Sequence, residues 1–562
     1  MKKLILPVLI SISLTAFMGQ ASAVTKPGST CSPKGKTQIV GSFKYTCVLV
    51  GKKLVWNSGV KVPPTPVVTD TTVALSVLTG AQNGKVTGNP KLPSGWALVN
   101  GYYIGPGANL KDANLSGANL FGLNLDAADL TRTNFTGAKL GNVSFNNSIM
   151  SGTILTNADM NGSLLTGVNT AMSGGIKSGG ITGNQTPSLP PTWKLLGGYL
   201  IGPAMNLSGA DFTNLDLSNV NCANCDLTNT KFPALQVTSA KFDFANLSGS
   251  SLATTNFVST SFLGANLSNL TFSGVLAKVS FGAADLTGAN FSTANFAGIS
   301  SGAIIGIPLL PNSWTLRSGY LLGSSSDLSN TDLSGIDLSN LNLNSANLSN
   351  SLLSGTTISN TNFANAVLKG VRSSKLIGNP ISLPTSWVVA NGYFVGPGAD
   401  LTGANLKGAN LTGTSFCGTT LTGVISGGVV VGSTVNLCIP IVNGYILADG
   451  VNLSGADFSN ADFLPYLLKG IGGFAGDNLT NANFTGARVL GYSFANSDLT
   501  GANFTNSNAT SANFTNSILV NVNFSGTILT SATLAGAKSS GIVGLPASLP
   551  NGWVLVNGVF YG

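Results

Sequence analysis

From Ala108 the chain reads ANLKDANLSGANLFGLNLDAADLTRTNFTGAKL, and a large apolar residue returns every five positions: Leu110, Leu115, Leu120, Leu125, Leu130, Phe135 and Leu140. A small residue, often Ala, stands two before it and Asn or Asp one before. Ser or Thr commonly follows, then Gly or Asn. Five fits neither ordinary amphipathic period. On a helix each such step advances the apolar position by about 140° and leaves no stripe. On a flat strand an odd step throws alternate residues onto opposite faces. The pattern closes only if the chain runs extended for three residues and then turns a corner. Ala and Leu, two apart, then both point inward, and Asn or Asp points out. The Ser/Thr-Gly/Asn pair makes the corner, because Gly and Asn tolerate unusual backbone angles and Asn, Asp and Ser bond to nearby backbone.

In this A-[DN]-L-x-x form the chain resembles the pentapeptide-repeat proteins, from Ala108 to about Lys538 in interrupted blocks. The resemblance implies an all-β fold, a right-handed quadrilateral β-helix with four pentapeptides to a coil. Coils stacked at about 4.8 Å make about fifteen turns and up to about 70 Å if the blocks are collinear. The best-known activity of the family is protection of DNA gyrase by members that mimic duplex DNA. Such mimicry needs a strongly acidic surface, and that carry-over is set aside on charge.

The net charge is +8, but it is uneven: residues 24–91 hold nine Lys and one Asp, while 12 Lys and 4 Arg face 18 Asp from residue 92 onward. The solenoid is near neutral and the N-terminal part is cationic. A cationic segment suits anionic cell-envelope polymers, although solubility alone explains it equally well. No nucleic-acid partner is expected, and a protein or polysaccharide partner stays unnamed.

Residues 1–23, MKKLILPVLISISLTAFMGQASA, have two Lys, a short apolar core and a small-x-small end, which is the form of a secretory signal peptide cut near Ala23. An exported protein, extracellular or envelope-associated and without a transmembrane segment after cleavage, is expected. Residues 24–61 form a basic module in which Thr37–Val40, Phe43–Val50 and Leu54–Trp56 read as a short antiparallel meander. So small a module gains from a staple, and Cys31 and Cys47 are its candidate disulfide. The module resembles the Cys-pair, Lys-rich, Trp-ended modules that follow signal peptides in some exported bacterial proteins. Residues 62–80 are a Pro/Thr-rich linker.

A longer repeat marks the joints. Copies around Trp96, Trp193, Trp314, Trp387 and Trp553 each lead into an apolar strand, a two-residue turn and another strand. The turn is Asn-Gly at 100–101, 391–392, 443–444 and 557–558, the strongest short-range hairpin signal. The organisation is then a hairpin cap (81–107), arrays at 108–172, 206–298, 327–372, 400–437 and 451–538, joints at 173–205, 299–326 and 373–399, a reduced joint (438–450) and a C-terminal cap (539–562). Prolines before each Trp should stop stacking, so each Trp hairpin is expected to cover a solenoid end, which would otherwise expose apolar core and open edges. Trp rings that stack on sugars are the functional alternative.

Chemistry is sparse. Without His there is no Ser-His-Asp or Cys-His arrangement, and no catalytic, cofactor or metal residue is assigned. Cys222 and Cys225 form a C-x-x-C, yet their register makes them core replacements for Leu and Ala, and zinc would need two further ligands. Cys417 and Cys438 are about one coil apart, within disulfide reach. Two functions stay open: a non-enzymatic cell-surface scaffold, or a binding module using Ser/Thr/Asn rows against polysaccharide, another surface or ice. A polysaccharide-active β-helix enzyme is a more distant third, because no carboxylate pair stands out.

Overall fold

The computed structural model describes residues 26–40, 42–61, 73–79, 84, 86–168, 175–183, 185–432, 438–467 and 473–562. The expected signal peptide, most of the 62–80 linker and the irregular stretch around Gly472 lie outside the described residues.

Most pentapeptides turn a corner in the same way. Ala118 N–H donates to Leu115 O (3.1 Å) across Ser116-Gly117, and Gly117 has φ +65°. Positive φ at the third position is the mark of a type II turn. Asn takes that place in many coils, as Asn142 does with φ +56°, because its short amide tolerates the left-handed region. The coils then stack in parallel: Leu115 N–H donates to Asn134 O (2.8 Å), and Asn134 N–H to Ala113 O (2.9 Å). The result is the right-handed quadrilateral β-helix.

The interior is filled by the repeat's two inward positions. Leu110, Leu115, Leu120, Leu125, Leu130 and Phe135 are fully buried, and the Ala residues two before them are nearly so. In the last array the central residues become Phe and stack coil on coil: Phe484 on Phe504 at 4.7 Å and Phe494 on Phe514 at 4.9 Å. Where Thr replaces the inward Ala, its hydroxyl finds a carbonyl one coil back, as Thr133 Oγ1 does at Leu110 O (2.8 Å). Buried polar groups need such partners. A four-residue step between Phe272 and Leu276 is absorbed in a shorter coil, with Ser261 paired to Ser280 and Asn266 to Asp285.

The joints do not end the stack, which corrects the expectation that their prolines stop it. One face carries parallel pairing through each internal joint: Lys177 with Asn206, Ser300 with Asp327, Arg372 with Asp400 and Ile425 with Asn452. Each joint is itself a coil whose fourth side is replaced by a hairpin. The blocks are therefore collinear, and joint coils added to array coils bring the stack to roughly 20 rungs, about 90 Å long.

The hairpins of the 299–326 and 373–399 joints lie across the core as partitions with two working faces. In the strand Tyr320–Leu322, Leu321 packs into the core before the joint and Leu322 into the core after it. In Tyr393–Val395, Phe394 and Val395 divide in the same way. Alternation along a strand produces this directly. Only the terminal hairpins behave as end covers. Beneath the first, Tyr103 meets Val73, Leu78 and Val86, and the last buries Phe560 in the final core.

At the N-terminus β1 (Thr37–Val40), β2 (Phe43–Val50), β3 (Lys53–Trp56) and β4 (Val60–Lys61) form an antiparallel sheet. β4, which pairs with the edge formed by Phe43 and Lys44 of β2, has no counterpart in the sequence reading. Two single-turn helices, Leu75–Leu78 and Leu464–Leu467, complete the described elements.

Candidate functional surface

The outward polar rows bond mainly to themselves. The Oδ1 of Asn503 accepts both the backbone N–H (3.0 Å) and the hydroxyl (2.6 Å) of Thr505. Asp226 does the same with Thr228, at 3.1 and 2.8 Å. Asn Nδ2 groups then donate along the stack, Asn362 to Asn342 (3.0 Å) and Asn347 to Asp327 (3.0 Å). At Asp211, Asp332 and Asp337 the same bonding stabilises the carboxylate. The Thr213 hydroxyl and backbone N–H, with Lys231, hold the Asp211 carboxyl down to about 2. Ser334 and Ser339 likewise hold Asp332 and Asp337 below the usual carboxylate range.

Four charged pairs also run along the stack. Arg132 pairs with Asp112 (2.6 Å), Lys231 with Asp211 (3.2 Å), Arg317 with Asp337 (3.1 Å) and Arg488 with Asp462 (3.5 Å), each between neighbouring coils. Such exposed pairs are screened by solvent and contribute little to stability. Cations are most concentrated in the N-terminal module, whose Lys26, Lys34, Lys36, Lys44, Lys52, Lys53 and Lys61 are all exposed.

All six cysteines are bonded. Cys31–Cys47 ties the start of the module to β2 with Cα atoms 5.8 Å apart, and Cys417–Cys438 clips the reduced joint at 5.1 Å. Cys222 and Cys225 are buried core residues, and they are also joined to each other. The inward residue and the small residue three later are the two ends of one corner turn, as the Cys225 N–H to Cys222 O bond (3.2 Å) shows. That register was available from sequence. Among the described residues no cluster of His, Cys, Asp or Glu is placed to hold a metal ion.

The Trp side chains each lie over one glycine. A Cβ on Gly105, Gly202, Gly323, Gly396 or Gly562 would come within 2.2–2.6 Å of the ring of Trp96, Trp193, Trp314, Trp387 or Trp553. One face of each of these rings is thus taken by the hairpin's own backbone.

Two features escape the repeat pattern. Asp477 stands where the repeat has an inward Ala and is 2% exposed. Its Oδ1 accepts the Gly450 N–H (2.6 Å), Oδ2 has no hydrogen-bond partner among the described residues, and burial pushes the carboxyl up to about 7. The second is a groove of about 360 Å³ beside the 373–399 joint, walled by Ser334, Leu352, Ser354, Arg372, Ser374, Tyr393, Thr402 and Gly403. Neither is visible without coil register, because each depends on residues about 20 or more apart becoming neighbours.

A family model described as pentapeptide repeats matches residues 107–137, 128–167, 205–234, 238–274, 324–359, 346–372, 397–425, 478–516 and 510–538. No curated protein matches the sequence. Among solved structures the chain is similar to HetL, a pentapeptide repeat protein involved in heterocyst differentiation regulation from the cyanobacterium Nostoc sp. strain PCC 7120. The identity is 19%, over 60% of this chain and 87% of that one, with a TM-score of 0.13. It is also similar to Rfr23 from the cyanobacterium Cyanothece 51142, at 21% identity over 27% of this chain and 89% of that one, with a TM-score of 0.12. A trypsin-treated form of QnrB1, a plasmid-mediated fluoroquinolone resistance protein, is 16% identical over 46% of this chain and 89% of its own, with a TM-score of 0.13.

Proposed function

Since this chain is a pentapeptide-repeat protein, a rod whose polar rows bond largely to one another, we propose that it serves as an exported, non-enzymatic scaffold. The observation that carries the reading is the unbroken parallel pairing through every internal joint. A stack whose joints continue it, rather than cap it, is suited to holding two things apart at a set distance. The side-chain bonding points the same way. Hydroxyl and amide rows already engaged along the coils leave few donors for a partner, so the rows favour spacing over recognition.

The basic module is the proposed anchor. Seven exposed Lys on one small disulfide-tied module would hold the rod to anionic envelope polymers through interactions that salt screens over about 10 Å at 0.1 M. Export rests on the form of residues 1–23.

Co-sedimentation with purified cell envelopes at low and raised salt tests the anchor, alongside a chain lacking residues 24–61. Binding that falls with salt and disappears on truncation is expected, and binding that survives both would move recognition to the solenoid and overturn the anchor. Mass spectrometry of the secreted fraction tests export. A chain beginning at Val24 is expected, and an uncut chain retained in the cytoplasm would remove the premise.

A further inference from the structure

The chain has four arginines, and three of them, Arg132, Arg317 and Arg488, bind an aspartate one coil away. The fourth, Arg372, is exposed, and its guanidinium has no hydrogen-bond or ion-pair partner among the described residues. It stands in the groove beside the 373–399 joint. Its neighbours along the stack are Leu352 and Asp400, and the Asp400 carboxylate is turned to its own corner, where Oδ1 accepts from the backbone (3.0 Å) and hydroxyl (2.5 Å) of Thr402.

The rest of the groove is polar in a way that matches a polyol. Ser354 and Ser374 hydroxyls lie 2.6 Å apart on successive coils, and Thr402 continues the row one coil further on. Tyr393 lines the groove as well. At the three preceding hairpins the equivalent tyrosine hydroxyl is tied to backbone: Tyr102 accepts from Asn114 N–H (3.3 Å), Tyr199 accepts from Asp211 N–H (3.2 Å), and Tyr320 donates to Asp332 O (3.2 Å). The Tyr393 hydroxyl has no such bond among the described residues. An unpaired guanidinium and an unengaged phenol thus open onto one hydroxyl-lined groove.

We propose that this groove binds a carboxylate-bearing saccharide, a uronic acid unit of an acidic polysaccharide. The guanidinium fork matches a carboxylate in two parallel hydrogen bonds. Serine and threonine hydroxyls both donate and accept, as sugar hydroxyls require. The coils that carry them repeat at about 4.8 Å, the scale of a single sugar ring. The volume is at the lower end for small-molecule sites, which suits one ring of a longer chain lying along the groove. This inference is independent of the scaffold reading and its basic anchor, since it concerns the full chain in solution and residues far from 24–61.

The test is calorimetric titration of the full chain with trigalacturonate, with maltotriose as the neutral probe and sodium sulfate as the simple anion. Trigalacturonate should bind and maltotriose should bind at least tenfold more weakly. Arg372→Gln should lower the affinity at least tenfold with the melting temperature unchanged. Arg372→Lys, which keeps the charge and loses the fork, should lower it several-fold and covers the case in which Arg372→Gln fails to fold. Tyr393→Phe should weaken binding several-fold. No binding of trigalacturonate, or binding that Arg372→Gln and Arg372→Lys leave intact, overturns the proposal. Sulfate displacing the ligand at equal concentration would reduce the groove to an anion site and overturn the saccharide assignment.

Discussion

At the scale of single residues the joints contain an internal control. Every Trp hairpin pairs its ring with a glycine in the second strand's continuation, Trp314 with Gly323 for instance, where a Cβ would sit 2.4 Å from the ring. In the reduced joint, the register set by Asn443-Gly444 puts Ile439 in the Trp place and Ala448 in the Gly place. Bulk removed on one side is matched by a methyl gained on the other. Gly323→Ala alone should therefore destabilise by about 1–3 kcal/mol, the usual range for overpacking, and should cost much less when combined with Trp314→Ile. A double-mutant cycle in denaturant reads this coupling, and additive effects would mean that ring and glycine do not meet. Asp477 gives a second residue-scale test. Its folded-state pKa, about 7, lies above the ordinary value of about 3.9, so the folded state holds the proton more tightly than the unfolded chain. The stabilisation is complete below about pH 4 and is lost as pH rises through about 7, by up to about 4 kcal/mol. The lowered carboxyls, Asp112 beside Arg132 and Asp337 beside Ser339, act oppositely and only in acid, below about pH 4. Melting temperatures should fall between pH 5 and pH 8 for the natural chain, and Asp477→Asn should flatten that fall.

At the scale of elements, the corner turns and the hairpins were legible, since a five-residue period admits one extended-and-turn solution and Asn-Gly between apolar runs admits one turn. What the hairpins do was not legible. Tyr320-Leu321-Leu322 is apolar throughout, so no polar residue marks which side faces water, and a strand buried on both sides looks the same as one that covers an end. Pairing through the joints was hidden for a related reason: 177 to 206 spans 29 residues, and the extra nine conceal a coil of ordinary height. The bond between Cys222 and Cys225 was missed although the register already placed both at the ends of one turn. The two solenoid disulfides should differ in effect. Cys417–Cys438 closes a loop of 21 residues where the joint lacks its Trp, and its loss should cost about 3 kcal/mol by loop closure. Cys222–Cys225 spans three residues and constrains little of the unfolded chain. Urea denaturation of Cys417→Ser and Cys222→Ala variants compares them directly, and equal losses would count against loop closure as the cause.

At the scale of the whole molecule, a rod of stacked coils transmits stability between neighbours only, so its cooperativity depends on its weakest interface. The 373–399 joint is a clear candidate. There the apolar interior divides into separate cores on either side of the hairpin, and Trp387 packs against both. Backbone pairing crosses the joint on one face, from Arg372 to Asp400. Removing the indole leaves that single ladder, with the divided apolar contact, to couple the two parts. Trp387→Ala should cost about 3 kcal/mol, the lower end for a truncated Trp because the ring is half-buried. It should also split one calorimetric transition into two, as the coils before and after the joint unfold separately. Trp553→Ala, in the last hairpin where no further described coil follows, should lower stability without splitting the transition. If Trp387→Ala melts as a single unit, coupling along the rod is carried by the backbone ladder, and the partitions only seal the core.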